Sequence, residues 1–419
     1  MRKDSCDPPK LGGYVEIFSL KRSYPHSIIG GNIAAKPLLR GILWSSSRVL
    51  HSQVPAASTC VNMTNQRQTL LQSIATITAD YRQGEITAID PNHIDRWVRQ
   101  FSEFGFDDEA QVIILGEMER ILNSYYISRS FAQSFLTNVL TSQKLFGSNP
   151  AATIRNAQFL QIQRKGNSQN DLLNLCEPIL QFNCGLSLRD CGGSPTAYIY
   201  LDDCLYSGNT VWRDVNAWMP NAERGTTLNL IFFALHTEGL RYSKKKIEPE
   251  AQKYGVAVNF WRLHEFYNSR WKPSQFDCFW ALQTSGEELI DRYVQEISER
   301  RQNSNRTLPD LFRPANMPTQ DRIFSSSAAR DLIEYAFLKV GAYIVSLPRS
   351  PNASMKPLGY DYFDSLGFGA IFVTYRNIAN NCPLALWWGD PSKAYPLNVW
   401  YPLFPRTVNI TTDPEWEGF

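Results

Sequence analysis

Residues 197–210 read Ala-Tyr-Ile-Tyr-Leu-Asp-Asp-Cys-Leu-Tyr-Ser-Gly-Asn-Thr, and no other stretch constrains the fold as tightly. An apolar run predicts a buried strand, which delivers the acid pair Asp202-Asp203 to its end. A short Ser/Gly/Thr loop follows, and then a helix around Val211 to Trp218. Carboxylates at a strand end suit ribose hydroxyls, and small residues let backbone N–H groups close around a phosphate at a helix N-terminus. Tyr206, Ser207, Gly208, Asn209 and Thr210 would wrap that phosphate, the hydroxyls of Ser207 and Thr210 donating and Gly208 permitting close approach. The plainer alternative is a turn in which Asp203 only caps the following helix.

Strands and helices alternate around this stretch. Residues 157–163 predict a strand, Arg164 to Gln169 a loop and Asn170 to Leu180 a helix; Leu228 to Leu235 and Val256 to Leu263 predict further strands, with a helix around Ile247 to Tyr254 between them. That order implies a parallel sheet covered on both sides, with ligands beyond the carboxyl ends of its strands. In the first loop Arg164, Lys165, Gly166, Asn167 and Ser168 offer two cations, a glycine and polar donors, a set that suits a diphosphate and also an ordinary solvated turn. His236 follows a strand and could transfer protons at the crevice, although a lone histidine there is more often structural. Arg241 and Lys244 to Lys246 read as a solvated charge run. Trp387-Trp388 and Trp400-Tyr401 offer base-stacking surfaces, or plain core.

The flanks differ from the centre. Residues 64–145 predict helices: Leu70, Ile74, Ile77 and Tyr81 keep helical spacing, and Asp90-Pro91 is a helix start. Ser-capped helical sequence after Phe324 places Arg330 and Glu334 for an i,i+4 pair. The remaining tail is rich in Gly, Pro and Trp. A chain of 419 residues, 43% hydrophobic and 13% aromatic, exceeds one ordinary core. The expected domains are a disordered leader over 1–62, a helical region over 63–150, an α/β core over 151–270 and an α+β lobe over 271–419. The leader combines many Ser and basic residues with no acid between Glu16 and Asp80. A transit peptide shares this composition, but an upstream start before a native Met63 explains it more simply. The eight cysteines form no CxxC pair, as expected of reduced cytoplasmic thiols. Net charge of +2 argues against a strongly electrostatic nucleic-acid binder, and no apolar run approaches membrane-spanning length.

The acid pair followed by Ser-Gly-x-Thr resembles the binding loop for phosphoribosyl pyrophosphate (PRPP) in the phosphoribosyltransferase fold. With His93-Ile-Asp-Arg-Trp97, Gln100-Phe101, Gly367-Phe-Gly and Asn380-Asn-x-Pro-Leu-Ala-Leu-Trp387, the chain resembles the phosphoribosyltransferase-like family of bacterial conflict systems, often encoded beside defence genes. The resemblance covers roughly residues 64–410 and implies a phosphoribosyltransferase-type parallel sheet between a helical front and a C-terminal lobe. It implies PRPP or a related ribosyl phosphate at Asp202, Asp203, Ser207, Gly208 and Thr210, and Mg²⁺ beside the two acids. More loosely it implies pyrophosphate at Arg164 to Ser168. Transfer or hydrolysis at ribose C1 is then expected, with a nucleotide or RNA among the open acceptors. The alternative is a non-catalytic PRPP or nucleotide sensor that signals to a protein partner from the same gene cluster. No familiar nucleobase-recognising hood is visible.

Overall fold

The computed structural model describes residues 56–406 apart from Lys165 and Pro351, with side chains from residue 63 onward. The leader expectation therefore lies outside the described residues up to residue 55. From Ala56 the chain is already helical, seven residues ahead of Met63. The helices are α1 (Ala56–Ile77), α2 (Pro91–Arg99), α3 (Asp108–Tyr125), α4 (Arg129–Leu140), α5 (Gln143–Phe146), α6 (Pro150–Ile154), α7 (Ser168–Cys184), α8 (Asn209–Trp218), α9 (Thr237–Tyr254), α10 (Glu288–Gln302), α11 (Ser327–Ser346) and α12 (Leu384–Trp387). The strands are β1 (Ala157–Phe159), β2 (Ala197–Leu205), β3 (Thr227–His236) and β4 (Ala257–Phe266). Two compact units result: residues 127–269, and residues 56–126 together with 270–406. The linear domain order did not anticipate that α4 clusters with the sheet while α1–α3 cluster with the C-terminal residues.

In the first unit all strands are parallel, in the order β1-β2-β3-β4. The register sets Ala157 beside Ala197, Asp202 beside Phe232 and Phe232 beside Arg262. Side chains alternate between faces along each strand. Tyr198, Tyr200, Leu228, Leu230 and Phe232 therefore share one face, where they pack on Val211, Val215 and Trp218 of α8 and on Leu240, Ile247 and Ala251 of α9. Each large side chain sealed there contributes about 1.5–3 kcal/mol relative to exposure. On the other face Phe233 meets Phe135 of α4 with ring centroids 5.1 Å apart, and α4 packs on α7. This is an α/β fold of phosphoribosyltransferase type, with helices on both sides of a parallel sheet.

Three elements differ from their sequence reading. β1 is shorter than expected, because Gln169 Oε1 accepts the N–H groups of Ile162 and Gln163 at 2.5 and 3.0 Å and turns the chain out of the sheet. β2 does not end at the acids; it runs on through Cys204 and Leu205, which pair with Ala234 and Leu235. α9 begins ten residues earlier than expected and absorbs the basic run, its buried stripe being Leu240, Ser243, Ile247 and Ala251.

The second unit joins remote segments. Asp90 caps α2 by accepting from His93 N–H at 2.7 Å. His93 then contacts the Tyr401 hydroxyl at 2.8 Å and the Leu403 carbonyl at 2.9 Å. The indoles of Trp97 and Trp400 both donate to the Ala385 carbonyl, at 2.8 and 3.0 Å. Trp387, Trp388 and Trp400 are buried, so they are core and not stacking surfaces. Among the described residues, 271–406 pair through isolated bridges such as Gln275–Gln320 and Leu282–Arg313. Arg330 and Glu334 pair at 2.8 Å as their spacing predicts, and both are buried. Among the described residues no helix is long and apolar enough to cross a membrane.

Candidate functional site

The loop after β1 and the last third of β2 are neighbours because the two strands pair directly. In the upstream loop Arg164, Gly166 and Asn167 are exposed, while Ser168 and Gln169 are buried at the start of α7. Lys165 lies outside the described residues. Gly166 has φ of 87°, the left-handed region that favours glycine. Gln163 contacts the Ser168 hydroxyl through its amide nitrogen at 2.8 Å and accepts the Gln169 N–H at 3.1 Å. The loop is thus held from within by two glutamines.

Asp202 ties this loop to β2. Its Oδ1 accepts from the Ser168 hydroxyl at 2.5 Å and from the Asp203 N–H at 2.8 Å; its Oδ2 accepts from the Tyr200 hydroxyl at 3.4 Å. Those bonds occupy most of a carboxylate's acceptor sites. Asp203, one residue on, faces the opposite way along the strand and is half-buried. The two acids therefore differ in role, Asp202 bracing the upstream loop.

Downstream, Tyr206 and Ser207 are half-buried, Gly208 buried, Asn209 half-buried and Thr210 exposed. Gly208 is the N-cap of α8 with φ of 80° and has no side chain to offer its N–H groups; Ser207 Oγ accepts from the Asn209 N–H at 3.4 Å. The orphan donors of the first turn form an end that suits an anion. A Cβ on Gly208 would lie 2.2 Å from Ser243 Oγ and 2.6 Å from the Gly239 carbonyl, so the glycine admits the close approach of α9. His236 sits behind this loop. It is fully buried, stacks on Tyr206 with centroids 5.2 Å apart and contacts the Leu205 carbonyl through Nδ1 at 3.3 Å. Burial pushes its pKa down to about 3, so the ring stays neutral. That environment fits a support for Tyr206 better than a proton shuttle.

Sequence reasoning missed Gln169 and Asp214. Asp214 lies on α8, 3% exposed, in the buried stripe Val211, Asp214, Val215, Trp218. Its pKa is pushed up to about 6 by burial, against the opposing pull of the Arg164 N–H and charge. An acid where helical spacing calls for an apolar residue was the available signal.

Among the described residues no group of three or more His, Cys, Asp or Glu side chains could hold a metal ion. The basic run on α9 has local partners: Arg241 pairs with Glu238 at 2.6 Å and Lys246 lies 5.2 Å from the Trp212 ring.

No curated protein and no solved structure matches the chain significantly. The family model PRTase-CE matches residues 94–406, which is most of the chain and includes both loops, the first unit and most of the described second unit. The chain belongs to the PRTase-CE family, and with it to the phosphoribosyltransferase-like proteins.

Proposed function

We propose that the protein binds PRPP or a closely related ribosyl 5-phosphate and transfers or hydrolyses at ribose C1, as an effector of a bacterial conflict system. The observation that carries this reading is the 2.5 Å bond from Ser168 to Asp202, which joins the loop suited to a diphosphate to the strand that carries the acid pair. A donor with phosphate at one end and pyrophosphate at the other needs two such loops at neighbouring strand ends. Residues 206–210 take the 5-phosphate at the α8 N-terminus, Asp203 takes ribose hydroxyls, and Arg164 with the backbone of 166–168 takes the pyrophosphate. Departure of pyrophosphate leaves an oxocarbenium-like centre, so the protein's contribution is to stabilise the leaving charge and to position the acceptor. The donor set fits Mg²⁺ brought in on the diphosphate and touched by Asp203 through water, since most of Asp202's acceptor capacity is already engaged. Bound there, the ion would neutralise the leaving group. Resemblance to conflict-system proteins supports the effector role.

Isothermal titration of the full chain with PRPP and Mg²⁺ tests the reading. Binding is expected, and Asp203→Asn should weaken it about tenfold or more, the loss of one charge-assisted bond of roughly 1.5–3 kcal/mol. Absence of heat with wild-type protein refutes it. Pyrophosphate release over a panel of nucleobases, nucleotides and RNA then separates enzyme from sensor: binding with no release identifies a sensor.

A further inference from the structure

We infer that the outer surface of α8 and α9 binds single-stranded nucleic acid, with lysines of α9 meeting its phosphates and Trp212 of α8 stacking a base. The surface lies wholly within the first unit, and the inference stands apart from the ribosyl-phosphate reading of the loops. The middle of α9 carries three cations in succession, Lys244, Lys245 and Lys246, against one acid, Glu248. The helix's other cations are engaged locally: Arg241 pairs with Glu238 at 2.6 Å and Lys253 with Glu250 at 2.5 Å. Lys245 and Lys246 are exposed and have no acidic partner among the described residues. Rings stand beside these charges. Lys246 Nζ lies 5.2 Å from the Trp212 ring centroid, and Lys244 Nζ lies 5.9 Å from that of Phe260. Tyr242, one turn before Lys246 on the same helix face, meets Trp212 edge-on with centroids 6.2 Å apart. Trp212 and Phe260 pack against the core yet are only half-buried, so each ring is fixed before a ligand arrives. That fixing lowers the ordering cost of stacking a base. Fixed rings beside exposed lysines supply the two parts of a single-strand site, a stacking platform and a backbone track. A net charge of only +2 leaves little long-range attraction, so binding rests on this patch and weakens steeply with salt. Because Trp212 lies one turn into α8 from the 206–210 loop, a polynucleotide becomes the favoured acceptor; that consequence alone rests on the ribosyl-phosphate reading.

The test is fluorescence anisotropy of the full chain with labelled single-stranded RNA and DNA of one sequence, about twelve nucleotides long, over a series of salt concentrations. Wild type should bind at least one of the two, and the tighter of them names the sugar it prefers. The double variant Lys245→Gln/Lys246→Gln should weaken binding and flatten the slope of log affinity against log salt by about 1.4, the share of two phosphates. Trp212→Leu should weaken binding about tenfold with the slope unchanged, because stacking releases no counterions. Circular dichroism checks that Trp212→Leu folds; the lysine variant changes exposed side chains only and carries the test if it does not. No binding of either oligonucleotide by wild type overturns the inference, as does equally tight binding of polyglutamate of matched charge. Wild-type affinity in either folded variant also overturns it. All three outcomes leave the ribosyl-phosphate reading to its own titration with PRPP.

Discussion

Gly208→Ala is expected to destabilise the protein, even though a methyl group is the smallest possible addition to a loop read as a phosphate cradle. Two costs add. The backbone at φ of 80° is left-handed, which costs a non-glycine residue about 1–2 kcal/mol. The new Cβ would also stand 2.2 Å from Ser243 Oγ and 2.6 Å from the Gly239 carbonyl, both inside van der Waals contact. Overpacking of this kind costs roughly 1–3 kcal/mol, so the total is about 2–5 kcal/mol. The two clashes differ in how they can relax. Ser243 Oγ is a side-chain atom, but the Gly239 carbonyl belongs to the first turn of α9 and cannot rotate away. Nor can that turn retreat from the loop freely, because Gly239 itself packs so closely that its own Cβ would meet the Tyr206 carbonyl at 1.9 Å. Ser243→Gly in the same chain should therefore restore less than half of the loss. Urea unfolding followed by circular dichroism measures both variants, provided the slope against denaturant stays constant. A loss below about 1 kcal/mol, or full rescue by Ser243→Gly, would refute the view that the loop is buttressed by helix backbone.

Two further outcomes are expected. Burial lifts the Asp214 pKa to about 6, above the ordinary aspartate value of about 3.9, so ionisation costs the fold stability that is intact at low pH and lost as pH rises through this window. Asp214→Asn should match wild type near pH 4 and exceed it above pH 6 by at most about 3 kcal/mol, read from urea midpoints at each pH; an asparagine variant less stable than wild type at pH 7 contradicts the assignment. In the second unit Glu334 is fully buried and accepts from Arg330 at 2.8 Å, from Arg313 at 3.0 Å and from the Trp280 N–H at 2.9 Å. Glu334→Ala leaves two buried guanidiniums underpaired and should cost about 3–5 kcal/mol in thermal or urea unfolding, whereas a change below about 1 kcal/mol would show that the arginines find other partners.

The parallel sheet was legible because buried parallel strands are near-continuous apolar runs, and each of Tyr198 to Leu201, Leu228 to Leu235 and Val258 to Leu263 falls inside a strand. Errors arose where two signals competed. At β2 the acid pair read as a strand end, but backbone pairing does not depend on side-chain charge, and Cys204 and Leu205 keep the ladder going. At α9 four basic residues in six positions hid a helical stripe that includes Leu240 and Ile247. The grouping of α1–α3 with residues 270–406 was not legible at all. It depends on contacts such as Trp97 with the Ala385 carbonyl, and composition says nothing about partners that far apart in sequence.

The candidate site shows a more useful pattern, because several of its polar residues, read in the sequence or not, break a local rule. Asp202 continues a buried strand, Gln169 stands buried at the second position of α7, and Asp214 interrupts an apolar helix stripe. Each departs from the residue that packing alone would select, and two of them are spent on the same short loop: Ser168 is held by Asp202, and Ile162 and Gln163 by Gln169. Local rules are broken where function asks for it and stability supplies the difference elsewhere. Two independent departures converging on one exposed loop are hard to reconcile with a simple solvated turn, which would keep its shape without polar ties from neighbouring elements. The loop that the sequence presented as the weaker half of the site is the half on which this fold concentrates its buried polar groups.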